Sequence, residues 1–110
     1  MAIWYRVRDF EAGRTFYRER LGFEETVVDW QDRWAELRRG ETVIAIAEGE
    51  PEEGGVAHVD VADLKAEAER LRAEGVNVGT VFELHGHVRL LDVYDPDGNR
   101  IQLAQDLVGS

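Results

Sequence analysis

Ile3-Trp4-Tyr5-Arg6-Val7-Arg8-Asp9-Phe10, running on to Leu21-Gly22-Phe23, and Ala57-His58-Val59-Asp60-Val61-Ala62-Asp63-Leu64, running on to Gly75-Val76, state one pattern twice. Each is an alternating apolar run, then an Asp, then a helical stretch that closes on Gly and an apolar residue. Asp9 and Asp63 lie 54 positions apart and Gly22 and Gly75 lie 53 apart, so a unit of about half the chain recurs in register. A duplication of this kind builds one site between two halves.

Working outward, Asp9 suits the N-cap of a helix over 10–21, and Gly22 suits its C-terminal stop. Strands follow over 24–30, 34–39 and 42–47, separated by Gln31-Asp32-Arg33 and Arg39-Gly40-Glu41. The second unit repeats the order: a strand over 56–61, a helix capped by Asp63 through Glu74, an extended 76–84, and strands over 88–94 and 100–105. Asp95-Pro96-Asp97-Gly98-Asn99 joins the last two as a turn, with Pro fixing φ and Gly free to take positive φ. The expected fold is α+β: two tandem βαβββ modules, 1–49 and 55–110, joined by the Pro- and Gly-bearing linker 48–55. They form an open, eight-stranded, barrel-like sheet with the helices outside, in one domain spanning 1–110.

Composition excludes several function classes. At 110 residues with 44% hydrophobic side chains the chain can bury a real core. Zero cysteines exclude disulfides, thiolate catalysis and Cys-ligated zinc. A net charge of −10 argues against nucleic acid, whose binding rests on cations at phosphate, and favours a cationic or neutral ligand. No apolar run is long enough to span a bilayer and no targeting signal is visible, so the expected location is the cytoplasm, with no membrane partner.

Val7-Arg8-Asp9-Phe10 with Phe16-Tyr17 and Leu21-Gly22-Phe23, followed by Tyr94-Asp95-Pro96-Asp97-Gly98-Asn99-Arg100-Ile101-Gln102-Leu103, resembles the vicinal oxygen chelate superfamily across the whole chain. That superfamily includes glyoxalase I, bleomycin-resistance proteins, fosfomycin-resistance enzymes and extradiol dioxygenases. The resemblance implies paired βαβββ modules, frequent homodimers, a pocket within the barrel and, in the enzymes, a divalent metal held by the first and last strands. The first ligand, commonly His, falls seven positions before each helix-capping Asp, at Ala2 and Val56. The last-strand ligand, commonly Glu, falls at Gln102, and its first-half counterpart lies among Val43 to Ala47. One amide among apolar side chains cannot replace a hard cation's hydration shell, so no metal site is expected. This departure points to the branch resembling bleomycin-resistance proteins, which sequester a ligand without transforming it.

Strand alternation then selects the pocket face. With Ile3, Tyr5, Val7 and Ala57, Val59, Val61 toward the helices, Trp4, Arg6, His58 and Asp60 face the concavity. By the same phase Trp34 and Glu36 are matched by Leu90 and Asp92. Trp4, Arg6, Trp34, Glu36, His58, Asp60, Asp92 and Gln102 are therefore the expected ligand-binding residues, suited to an aromatic or cationic small molecule.

Each also has a plainer role. The tryptophans can fill a barrel, His58 can be a bonded core histidine, and Arg6 with Asp60 can be a structural ion pair. The competing function is a lyase, isomerase or dioxygenase that recruits a divalent metal through His58, Asp60, Glu36 or Asp92, or transfers protons without one, with His58 the candidate catalytic group. A third class is an accessory module acting through dimerisation. His85-Gly86-His87 has the look of a metal tract but suits an exposed turn.

Overall fold

A computed structural model of the chain describes residues 3–52 and 54–107. The alternating run at the start forms β1 (Ile3–Val7), and Asp9 caps α1 (Phe10–Thr15), its carboxylate accepting from the Ala12 amide at 3.1 Å. Beyond Thr15 the helix widens into a π-helical turn over Phe16–Arg20, where the Leu21 amide reaches back five residues to the Phe16 carbonyl. The single α-helix expected over 10–21 is thus two helical types in series. The wider turn accompanies burial of the adjacent Phe16 and Tyr17, which an α-helix at about 100° per residue points well apart. Gly13 lies where β1 meets this helix: an added Cβ would stand 2.9 Å from Val7 Cγ2.

Next come β2 (Glu24–Asp29), β3 (Trp34–Arg39), β4 (Thr42–Glu48) and β5 (Ala57–Asp60). α2 (Leu64–Ala73) starts on Asp63, which accepts from the Ala66 amide at 3.1 Å. The chain closes with β6 (Asn77–Val78), β7 (Phe82–Leu84), β8 (Val88–Tyr94) and β9 (Arg100–Asp106). Gly22 and Gly75 both take positive φ, 69° and 81°, as the left-handed step ending each helical segment requires.

The strands form two mixed sheets of matching design. The first runs β1-β4-β3-β2, with β1 parallel to β4 and the others antiparallel. The second runs β5-β9-β8-β6, with β5 parallel to β9 and β7 also on β8. The extended segment 76–84, expected as one strand, is split by Gly79, Thr80 and Val81, which gives nine described strands instead of eight. Val78 pairs with Val93 and Phe82 with Leu90, so four steps on one strand oppose three on the other. This bulge reverses the side-chain phase and turns Phe82 to the open face of the sheet.

One face of each sheet is buried against the helices. Tyr5, Val7, Ala35, Leu37, Ile44 and Ile46 supply it from the first sheet, and Ala57, Val59, Leu91, Val93, Ile101 and Leu103 from the second. A buried polar clasp ties the halves. The Tyr17 hydroxyl donates to Asp95 Oδ2 at 2.7 Å, and Asp95 also accepts from Asn99 Nδ2 and from the backbone amides of Asp97 and Asn99. Asn99 Nδ2 further donates to the Arg6 carbonyl at 2.8 Å. The Tyr5 hydroxyl donates to the Arg100 carbonyl at 2.6 Å and accepts from the Ala57 amide at 2.9 Å. On the helix side Arg39 pairs with Glu67, and Arg20 pairs with Glu74 at 3.3 Å.

Candidate functional site

The faces turned away from the helices carry the expected ligand-binding residues. On the first sheet the register aligns Glu36 with Ala45 and Ala45 with Trp4, and aligns Trp34 with Ala47 and Ala47 with Arg6. Trp4 and Trp34 meet at 5.9 Å between ring centroids, inclined by 50°, over the small side chains of β4. Ala45 and Ala47 are buried while Trp4 remains 56% exposed, so the pair is a ledge open to solvent and not a core filling. Glu36 accepts from the Thr26 hydroxyl at 2.8 Å, which anchors its carboxylate beside a bulge in β2.

On the second sheet His58 aligns with Gln102 and Gln102 with Asp92, forming one row across β5, β9 and β8. A second row joins Asp60, Ala104, Leu90 and Phe82. Asp92 accepts from Gln102 Nε2 at 3.3 Å and pairs with Arg100 Nη1 at 3.3 Å. Beside this group a cavity of about 170 Å³ is lined by Thr80, Phe82, Leu90, Leu91, Asp92 and Gln102. Phe82, Thr80 and Arg100 were not expected here. Phe82 and Thr80 come from the bulge, which Gly79 hints at but alternation alone misplaces; Arg100 follows from continuing the phase of Gln102 backward by two.

Arg6 corrects one expectation: it pairs with Glu52 of the linker at 3.5 Å, not with Asp60. The linker comes back over β1 within reach of the Arg6 side chain, which is half exposed. His58 and Asp60 lie exposed on β5, and the His58 carbonyl accepts from the Thr42 hydroxyl. His85 and His87 flank the exposed β7–β8 turn.

The donor set does not fit the superfamily's divalent metal. Val56 is a half-buried apolar side chain, and Ile44, Ala45 and Ile46 are buried and apolar. Gln102 offers one amide already engaged with Asp92, while Ala2 lies outside the described residues. Among the described residues no three His, Asp or Glu side chains are grouped to hold a metal ion.

Perturbed ionisation belongs to the clasp. Burial first, and the Asp95 carboxylate second, raise the Tyr17 phenol well above the ordinary tyrosine value of 10.0. Burial likewise raises Tyr5, in part offset by its bond from the Ala57 amide. Both phenols therefore act as neutral hydrogen-bonding struts between the halves.

Residues 2–103 match the family model described as Glyoxalase/Bleomycin resistance protein/Dioxygenase superfamily. The chain belongs to this superfamily. Among solved structures, it is similar to an integron cassette protein from the mobile metagenome of the Halifax Harbour sewage outfall, at 24% identity and a TM-score of 0.74, covering 96% of both chains. It is also similar to the fosfomycin resistance protein FosX of Listeria monocytogenes, at 19% identity and a TM-score of 0.79, covering 94% of this chain and 87% of that one. A lactoylglutathione lyase from Agrobacterium tumefaciens matches at 16% identity with a TM-score of 0.75, covering 96% and 91%. At these identities the likeness is one of fold. No curated protein matches the chain in sequence. Among the described residues no helix is long and apolar enough to cross a membrane.

Proposed function

We propose that this superfamily member is a small-molecule-binding protein that holds an amphipathic, planar, cationic ligand on the open sheet faces and releases it unchanged, in the manner of bleomycin-resistance proteins. The observation that carries the reading is the Trp4–Trp34 ledge. Large indole surface stays exposed and is supported from beneath by Ala45 and Ala47, with the Glu36 carboxylate in the same cross-strand row as Trp4. Exposed aromatic faces beside a carboxylate attract flat cations through stacking and cation–π contact, worth about 0.5–2 kcal/mol per contact. The net charge of −10 favours the same sign of ligand.

Planar cations such as proflavine should quench tryptophan fluorescence saturably, and the anion 9-acridinecarboxylate should not. Equal quenching by both, or by neither, removes this reading. We further propose a homodimer. Val27 on the edge strand β2 and Leu84 on β7 remain exposed, apolar side chains of the kind a second copy covers. Light scattering at low micromolar concentration should give twice the chain mass.

The enzymatic alternative, a lyase, isomerase or dioxygenase, draws on superfamily membership and on the lyase named among the similar structures. It needs His58 as proton-transfer group beside Gln102 and Asp92. Native mass spectrometry of freshly purified protein separates the two: an intact organic ligand supports sequestration, whereas about one equivalent of a divalent metal per chain supports the enzyme.

A further inference from the structure

Two cavities each include in their lining one member of the same ion pair. The 170 Å³ cavity has Asp92 in its wall. A second cavity of about 290 Å³, between the linker and the Asp95–Asn99 turn, is lined by Tyr5, Pro51, Glu52, Gly55, Asp97 and Arg100 among others. Arg100 Nη1 lies 3.3 Å from Asp92 Oδ2, so each cavity contributes one member of the pair. Arg100 and Gln102 are two residues apart on β9 and share the open face with Asp92.

The pair is built to open. The Arg100 side chain is 49% exposed and Asp92 28%, so the guanidinium can swing into water while the carboxylate keeps its bond from Gln102. Water screens an ion pair this exposed and leaves it little net stabilisation, so displacing it costs a ligand little. The smaller cavity lies well below the size of a drug-sized pocket, roughly 300–1,000 Å³, and joined to the larger one it falls within that range.

Resting on the sequestration reading above, we infer that Arg100 is a specificity latch: it occupies Asp92 as an internal cation, and the cationic group of the ligand displaces it, merging the two cavities into one groove. The ligand class is the planar, amphipathic monocation proposed above, its charge on Asp92 and one apolar edge against Leu90 and Phe82. A cation placed away from Asp92 does not displace the guanidinium and gains nothing from that carboxylate. Arg100 is thus a competitor for Asp92 and contributes no attraction to the ligand.

The test is a double-mutant cycle on the full chain, with proflavine as the cation, followed by fluorescence at about 0.15 M salt so that distant charges are screened. Arg100→Gln should tighten proflavine binding about two- to fivefold, the equivalent of losing one exposed pair. Asp92→Asn should weaken it, and in that background Arg100→Gln should have no further effect. Arg100 makes its bond to Tyr5 through its carbonyl, so this substitution leaves the clasp intact, and unchanged far-UV circular dichroism checks that it does. If the wild type binds proflavine and Arg100→Gln leaves affinity unchanged or lower, the latch is refuted while the binding reading stands. If Arg100→Gln tightens binding by the same factor in the wild-type and the Asp92→Asn backgrounds, the effect is one of general charge and the latch is again refuted. Proflavine bound by neither the wild type nor Arg100→Gln removes both.

Discussion

The two sheets share strand order and pairing sense, yet their open faces differ in kind. The first carries an aromatic ledge, Trp4 and Trp34 over buried alanines, with Glu36 held by Thr26. The second carries a charged row, His58, Gln102 and Asp92, closed by Arg100 and bordered by Leu90 and Phe82. Their last turns differ too. The β3–β4 turn at Gly40 and Glu41 is exposed, whereas the β8–β9 turn buries Asp95 and Asn99 as acceptor and donor for the opposite half. Shared topology fixes where a side chain is presented; residue identity decides whether that place stacks, charges or fastens.

The largest effect should come from the fastener. Asp95→Ala strips partners from the Tyr17 hydroxyl, the Asn99 amide and two backbone amides, and should cost about 3 kcal/mol or more in urea denaturation. Glu41→Ala, in the corresponding first-half turn, should stay within about 0.5 kcal/mol. Comparable costs at the two turns would erase the distinction between them.

The ledge gives the next effect. Trp34→Ala should weaken proflavine binding by roughly 1–3 kcal/mol with unchanged far-UV circular dichroism. Trp30 is the control: it packs edge-on against Phe10 and under the Arg14 guanidinium at 4.4 Å, away from the ledge, so Trp30→Ala should alter stability and not binding. If Trp34→Ala unfolds the chain, or the two substitutions weaken binding alike, the ledge was packing and the contrast between faces loses one side.

A smaller, graded effect should appear in alkali. Folding holds the Tyr17 proton more tightly than the unfolded chain does, so stability is full below pH about 10 and falls as pH rises beyond it, by at most about 1.4 kcal/mol per pH unit for this group. Tyr17→Phe should flatten that fall, leaving the lesser contribution of Tyr5. An unchanged slope would place the clasp's ionisation elsewhere. The smallest expected effect is none: EDTA should leave the melting temperature unmoved, because Val56, the buried β4 side chains and Gln102 offer no adequate donor set. A lowered melting temperature would show that a bound metal contributes to the stability of the fold.

Fold was legible in the chain because its signals are local. An Asp before each helix, a Gly after it and period-2 runs between turn residues act over a few positions, where backbone sterics and hydrogen bonding decide the outcome. The same alternation separated Trp4, Trp34, His58 and Asp92 from the buried Tyr5, Ala35, Val59 and Val93. Only the tertiary structure decided what depends on count and distance between strands. One extra residue against β8 reversed the phase and brought Phe82 to the open face. The folded-back linker took Arg6 for Glu52, and the diagonal neighbour on β9 gave Asp92 to Arg100. A side chain's face is set by its own strand, but its partner is set by whichever charges the packed chain brings within reach, and that is a property of the fold as a whole.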